Sequence, residues 1–176
     1  MKSLFQMTKD KHAKTKPKQA RRLLTPEEML DEFYKKYGVR LCFDETEIDL
    51  TAPPLGNGLF IAKDISKMTF NQCTKLTMSI PMKQIKDLMP KMPELTYLGL
   101  IFCGLGRFFL RWHAFQNLET FDLTGNDISK VTSVVCVKNL PKLKTLILSE
   151  NPIADNEEEK EKLAKELPNI NIIYDK

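Results

Sequence analysis

A chain of 176 residues, 42% hydrophobic and 28% charged, is long enough for one packed domain with a tail, and its composition is that of a globular protein. No apolar stretch approaches the ~18 residues of a bilayer-spanning helix, so a transmembrane helix is excluded. The two His and four Cys (42, 73, 103 and 136) form no CxxC motif and no Cys–His cluster, which argues against a metal site or cofactor.

The net charge of +4 is unevenly divided. Residues 1–24 hold eight basic side chains against Asp10, a net of +7, while the remaining 152 residues hold 19 basic and 22 acidic ones, a net of −3. The chain thus reads as a slightly acidic body, 25–176, with a basic arm, 1–24. The arm has no long apolar segment of the secretory type. Lys9, Lys11, Lys14, Lys16, Lys18, Arg21 and Arg22 suit it to an acidic or anionic surface. Its lack of acids also permits a mitochondrial presequence, although it is Lys-rich, poor in Ser and broken by Pro17.

Residues 25–38 predict a helix. Thr25 caps it, Pro26 fits its first position, Glu28 completes a capping box, and Gly38 suits the left-handed residue beyond its end. Met29, Leu30, Phe33, Tyr34 and Tyr37 form one apolar stripe that needs a packing partner.

Beyond Gly38 the chain is repetitive. Leu118-x-x-Phe121-x-Leu123-x-x-Asn126-x-Ile128 recurs 25 residues later as Leu143-x-x-Leu146-x-Leu148-x-x-Asn151-x-Ile153. Leu95-x-x-Leu98-x-Leu100-x-x-Cys103-x-Leu105 precedes it, then Cys73-x-x-Leu76-x-Met78, and Ile48-x-Leu50 is a weak first copy. This is the leucine-rich repeat pattern. The period-two step points both leucines inward from a short strand, and the Asn or Cys turns the chain. No copy can bury its apolar side alone, so the copies stack. The expected fold is α/β: a leucine-rich repeat solenoid over 45–153 with a short parallel β-sheet on the concave face, the 25–38 helix capping one end and a helical cap over 154–176 the other. Val131, Val134 or Val135, Val137 and Leu140, and likewise Phe108, Trp112 and Phe115, are expected to pack the outer side. Phe109 and Leu110 exceed that need and mark a candidate contact patch. In the cap, Asp155 or Asn156 starts a helix with Leu163, Ala164 and Leu167 inward, followed by a strand near Ile170–Tyr174.

Catalytic constellations are not found. His12 and His113 lack a nucleophile nearby, and Gly56-Asn57-Gly58 and Gly104-Leu105-Gly106 read as turns, so the chain is expected not to be an enzyme. The candidate surface is the concave face, formed by residues between and beside the inward leucines. Lys75, Thr77, Tyr97, Ile101, Phe102, Asp122, Thr124, Ile147 and Glu150 are its expected partner-binding residues, with an apolar centre at Tyr97, Ile101 and Ile147. Tyr97→Ala and Ile147→Asp should therefore release the partner and spare the fold. Few basic residues lie on this face, which argues against a nucleic-acid groove there.

The motifs of 25–174 resemble the short leucine-rich repeat proteins of the phosphatase-regulator type, and among them the axonemal dynein light chain 1 family. The resemblance rests on the capped helix ending in Gly38, Glu47-Ile48-Asp49-Leu50, Pro53-Pro54, the Cys73-Thr74-Lys75-Leu76-Thr77-Met78-Ser79 copy, Asn151-Pro152-Ile153 with the acidic helix after it, and Leu167-Pro168-Asn169. It implies a non-catalytic, monomeric subunit of a cytoskeletal assembly in the cytoplasm, at a cilium or axoneme, bound to a dynein heavy chain or to tubulin. The chain departs from that family in its four or five repeats, its basic arm and the missing turn Asn of the Cys73 copy. The alternatives are a ribonucleoprotein subunit like the spliceosomal A-prime protein, or a mitochondrial assembly factor.

Overall fold

The structure is a computed structural model that describes residues 23–51, 63–81, 91–107 and 112–175. Residues 1–22 of the basic arm and Phe108, Phe109 and Leu110 lie outside the described residues, as does the Trp112 side chain.

Helix α1, Pro26–Tyr37, forms as the caps dictate: Thr25 Oγ1 accepts from Glu28 N at 3.2 Å, and Glu28 Oε2 accepts from Thr25 N at 2.8 Å. Gly38, at φ 70°, closes it with a bond to Tyr34 O. Phe33 and Tyr37 are buried and Met29 and Leu30 half-buried, but Tyr34 is exposed, with the Arg40 guanidinium over its ring. The apolar stripe is one residue wider than the face that packs.

One residue from the next copy ties α1 down. Asp64 Oδ2 accepts from Lys36 Nζ at 2.7 Å and from Tyr37 OH at 2.8 Å, and its Oδ1 accepts from Lys67 Nζ at 2.7 Å. Burial alone would raise the Asp64 carboxyl, but the three hydrogen bonds outweigh it and hold the group at about 2. The same contact raises the Lys36 ammonium above its ordinary value. Because the folded value lies below the unfolded one, this stabilisation is complete above about pH 4 and is lost as pH falls toward 2. Discounted for solvent screening, it is about 1 kcal/mol. Chemical unfolding at pH 5 and pH 2.5 should show a component of that size in the wild type that is missing in Asp64→Asn.

The repeats form one six-stranded parallel sheet in chain order: β1 (Glu47–Leu50), β2 (Lys75–Met78), β3 (Tyr97–Leu100), β4 (Thr120–Asp122), β5 (Thr145–Ile147) and β6 (Asn171–Ile173). The expected anchors lie in register: Leu76 pairs with Leu98, Leu98 with Phe121 and Phe121 with Leu146. All four are fully buried, as are Leu100, Leu123 and Leu148. A further ladder joins the copies just before each strand. Thr46 O accepts the amides of residues 74 and 75, Thr74 O those of 96 and 97, and Thr96 O those of 119 and 120.

The return segments are short. Val131–Val134 makes one turn of helix, α2, and 135–139 continue as 3-10 helix, burying Val131, Val134, Val137 and Leu140. Phe115 is buried in the preceding copy. The C-terminal cap is α3, Glu157–Glu166, started by Asn156, whose Oδ1 accepts from Glu159 N. Leu163 and Leu167 face inward, whereas Ala164, expected with them, is exposed. Glu159 Oε2 reaches back 2.7 Å to the Val131 amide, so the cap also satisfies the start of α2. Among the described residues no helix is long and apolar enough to cross a membrane.

Candidate functional site

The inner face carries two rows of side chains. The first runs Glu47, Lys75, Tyr97, Thr120, Thr145 and Asn171; the second runs Asp49, Thr77, Gly99, Asp122, Ile147 and Ile173. At one end Lys75 Nζ pairs with Glu47 at 3.0 Å and lies 5.7 Å from the centre of the Tyr97 ring.

Tyr97 organises the middle. Its ring leans across Gly99, where a Cβ would meet Tyr97 Cε1 at 3.2 Å and Thr77 Cγ2 at 3.0 Å. Its hydroxyl then donates to Asp122 Oδ2 at 3.0 Å. Burial and the neighbouring Asp122 carboxylate raise the phenol well above its ordinary value, so it stays a donor. Asp122 is completely buried and also accepts from Thr124 N at 3.0 Å and from Thr124 Oγ1. Asp49 does the same for Thr51 N at 2.8 Å. The Asp-Leu-Thr tripeptide, present at both places, is thus a device that closes the strand exit, since a short carboxylate bonds the amide two residues on.

This geometry corrects part of the expected surface. Asp122, Thr124 and Ile147 are buried, with Ile147 only 7% exposed, so they support the sheet and offer a partner little. Ile147→Asp would place a charge in that buried position and cost the fold itself, so it cannot report on the face. Lys75 and Glu150 are exposed, and Thr77, Tyr97 and Ile101 are half-buried.

Phe102 is the outlier. Its side chain is 55% exposed and its backbone is left-handed at φ 53°. The residue before the turn Asn or Cys adopts this conformation in three successive copies: Phe102, Gly125 at φ 67° and Glu150 at φ 55°. Glycine is the residue that occupies it without strain. The Phe102 ring lies directly on Gly125, where a Cβ would meet it at 2.2 Å. The two glycines thus clear floor space for two aromatic rings, Tyr97 over Gly99 and Phe102 over Gly125. Sequence reasoning placed both aromatics on this face; the Gly that accompanies each was the signal it left unused.

Other chemistry is sparse. Cys73 and Cys103 are buried thiols, both raised by desolvation, Cys103 to about 11. Among the described residues no group of three or more His, Cys, Asp or Glu is placed to hold a metal ion.

No family model matches this sequence, and no curated protein matches it. Among solved structures, a chain in the crystal structure of the Drosophila melanogaster SNF/U2A' complex is similar, with a TM-score of 0.58 and 21% sequence identity over 87% of this chain and 84% of that one. What the two share is the fold, a leucine-rich repeat solenoid with its parallel sheet.

Proposed function

We propose that the chain is a non-catalytic protein-interaction subunit that seats a segment of a larger protein across its inner face, with Tyr97 and Phe102 as anchors. The observation that carries this reading is Phe102. A large apolar side chain is held in solvent, on a left-handed backbone, over a glycine that makes room for it. Such a site costs stability and returns only partial burial within the chain, which is what an aromatic anchor awaiting a partner looks like. The solved neighbour supports a protein partner, because that structure is of a complex.

Of the assemblies expected from the sequence, the neighbour favours a ribonucleoprotein subunit, in which residues 1–24 would lie against an acidic or phosphate-bearing surface. The dynein-bound, cytoskeletal and ciliary reading rests on the motif resemblance of 25–174 alone, and a mitochondrial role rests on the composition of the arm. Imaging the tagged chain in cells separates these locations.

The anchor reading is tested by quantitative capture from cell extract with the wild type, Phe102→Ala and Tyr97→Ala. The partner that co-purifies with the wild type should fall at least about tenfold with Phe102→Ala, as for an interface hot spot. The thermal midpoint should stay within a few degrees, because Phe102 is mostly exposed. Tyr97→Ala should weaken capture too, with a larger loss of stability, since it strips Asp122 of a donor. Undiminished capture by Phe102→Ala would refute the reading.

A further inference from the structure

Of the ten prolines in the chain, only Pro26 follows a serine or threonine. Thr25 therefore has a proline directly after it, and Arg21 and Arg22 stand four and three residues before it. A hydroxyl residue followed by proline is the dipeptide that proline-directed protein kinases accept, and a basic residue three places earlier is a common second determinant.

The structure adds presentation to the dipeptide. Thr25 is exposed and extended, at φ −68° and ψ 162°, the conformation that a following proline imposes. Leu23 is 92% exposed and Leu24 41%, so the residues leading into Thr25 are not packed down. Its Oγ1 accepts from Glu28 N at 3.2 Å and donates to no group among the described residues. By contrast, Thr74 and Thr96 each donate to a carbonyl of the preceding copy at 3.1 Å, and Thr124, Ser133 and Ser149 are buried. For the residues after Thr25 to enter a kinase cleft, only the first turn of α1 has to open. The two side-chain bonds that hold this turn, between Thr25 and Glu28, are both exposed, and helix ends fray.

We propose that Thr25 is a phosphoacceptor for a proline-directed protein kinase, and that its phosphate lowers the charge of the basic arm. The phosphoryl donor is ATP. Thr25 Oγ1 forms the new bond to the γ-phosphorus, the bond from that phosphorus to the β,γ-bridging oxygen breaks, ADP leaves, and the hydroxyl proton passes to the catalytic aspartate of the kinase. The phosphate brings about −1.5 to −2 at neutral pH, so the net charge of residues 1–25 falls from +7 to about +5. It sits at the N-terminal end of α1, where the helix dipole favours an anion, so the helix persists while the nearby Glu28 carboxylate is repelled. The effect on the arm rests on the reading that the arm lies against an acidic or phosphate-bearing surface; the acceptor site does not.

The test treats the purified full chain with ATP and each of a set of proline-directed kinases, and reads the product by intact mass and peptide mapping. A peptide of residues 18–32 is the fully accessible reference. One phosphoryl group should appear, on Thr25, with kcat/KM within about tenfold of the value for the peptide, and Pro26→Ala should lower kcat/KM at least about tenfold. No transfer by any of the kinases, transfer to another residue in place of Thr25, transfer to the peptide but not to the folded chain, or equal turnover of Pro26→Ala would overturn the site. The phosphorylated chain should then leave a heparin column at lower salt than the unmodified chain, since fewer net charges hold it to the polyanion. If Thr25 takes the phosphate and elution does not move, the charge role of the arm fails and the site stands. If Thr25 takes none, the site fails and the arm reading keeps its own support.

Discussion

Replacing Asn126 by alanine should cost about 4 kcal/mol and lower the thermal midpoint by about 10 °C, the largest effect expected of any single polar change in the chain. Asn126 is buried between two copies. Its Oδ1 accepts from the amides of Cys103 at 3.1 Å and Leu105 at 3.0 Å, in the preceding copy. Its Nδ2 donates to the carbonyls of Leu100 and Leu123, both at 2.7 Å. Alanine leaves two buried N–H groups and the Leu100 carbonyl to find other partners, and each such group costs about 1–3 kcal/mol when it finds none. Leu123 O keeps a bond from Asn151 Nδ2 at 2.8 Å. Asn126→Asp should be no better at neutral pH, since it aims a carboxylate at two carbonyl oxygens. Urea unfolding of both variants checks this; a loss below about 1 kcal/mol for alanine would show that the two amides are served in another way.

Leu123→Ala should cost about 3 kcal/mol, within the range for a leucine deleted from a packed core. Leu123 is wholly buried in an interior copy, so the cavity is shared by the copies on both sides. Leu123→Met keeps the volume and should cost less than about 1.5 kcal/mol. Denaturant midpoints of the pair decide the matter. Equal losses would mean that side-chain shape, and not the cavity, sets the cost.

The stacked architecture was legible because its rules are local. Leu98-x-Leu100 and Leu146-x-Leu148 alternate as a half-buried strand must, and Asn126 and Asn151 mark the turn. The helix caps at Thr25 and Gly38 are equally local. The inner surface was less legible because its exposure depends on contacts between copies. Whether Asp122 faces solvent is settled by Tyr97, 25 residues earlier, leaning over Gly99 to reach it. The Asp-Leu-Thr repeat at 49–51 and 122–124 was visible and would have identified Asp122 as a structural group. Asp64 gave no such signal, because its partners Lys36 and Tyr37 lie 28 and 27 residues away in sequence.

The corner before each turn residue sets fitness measures at odds. Gly125 relaxes there, whereas Phe102 and Glu150 do not. A glycine at either place would relieve backbone strain of roughly 1 kcal/mol or more. Selection for heat resistance alone would therefore erase Phe102, the anchor assigned to the partner, and the sturdiest version of this molecule would be the one least able to hold anything.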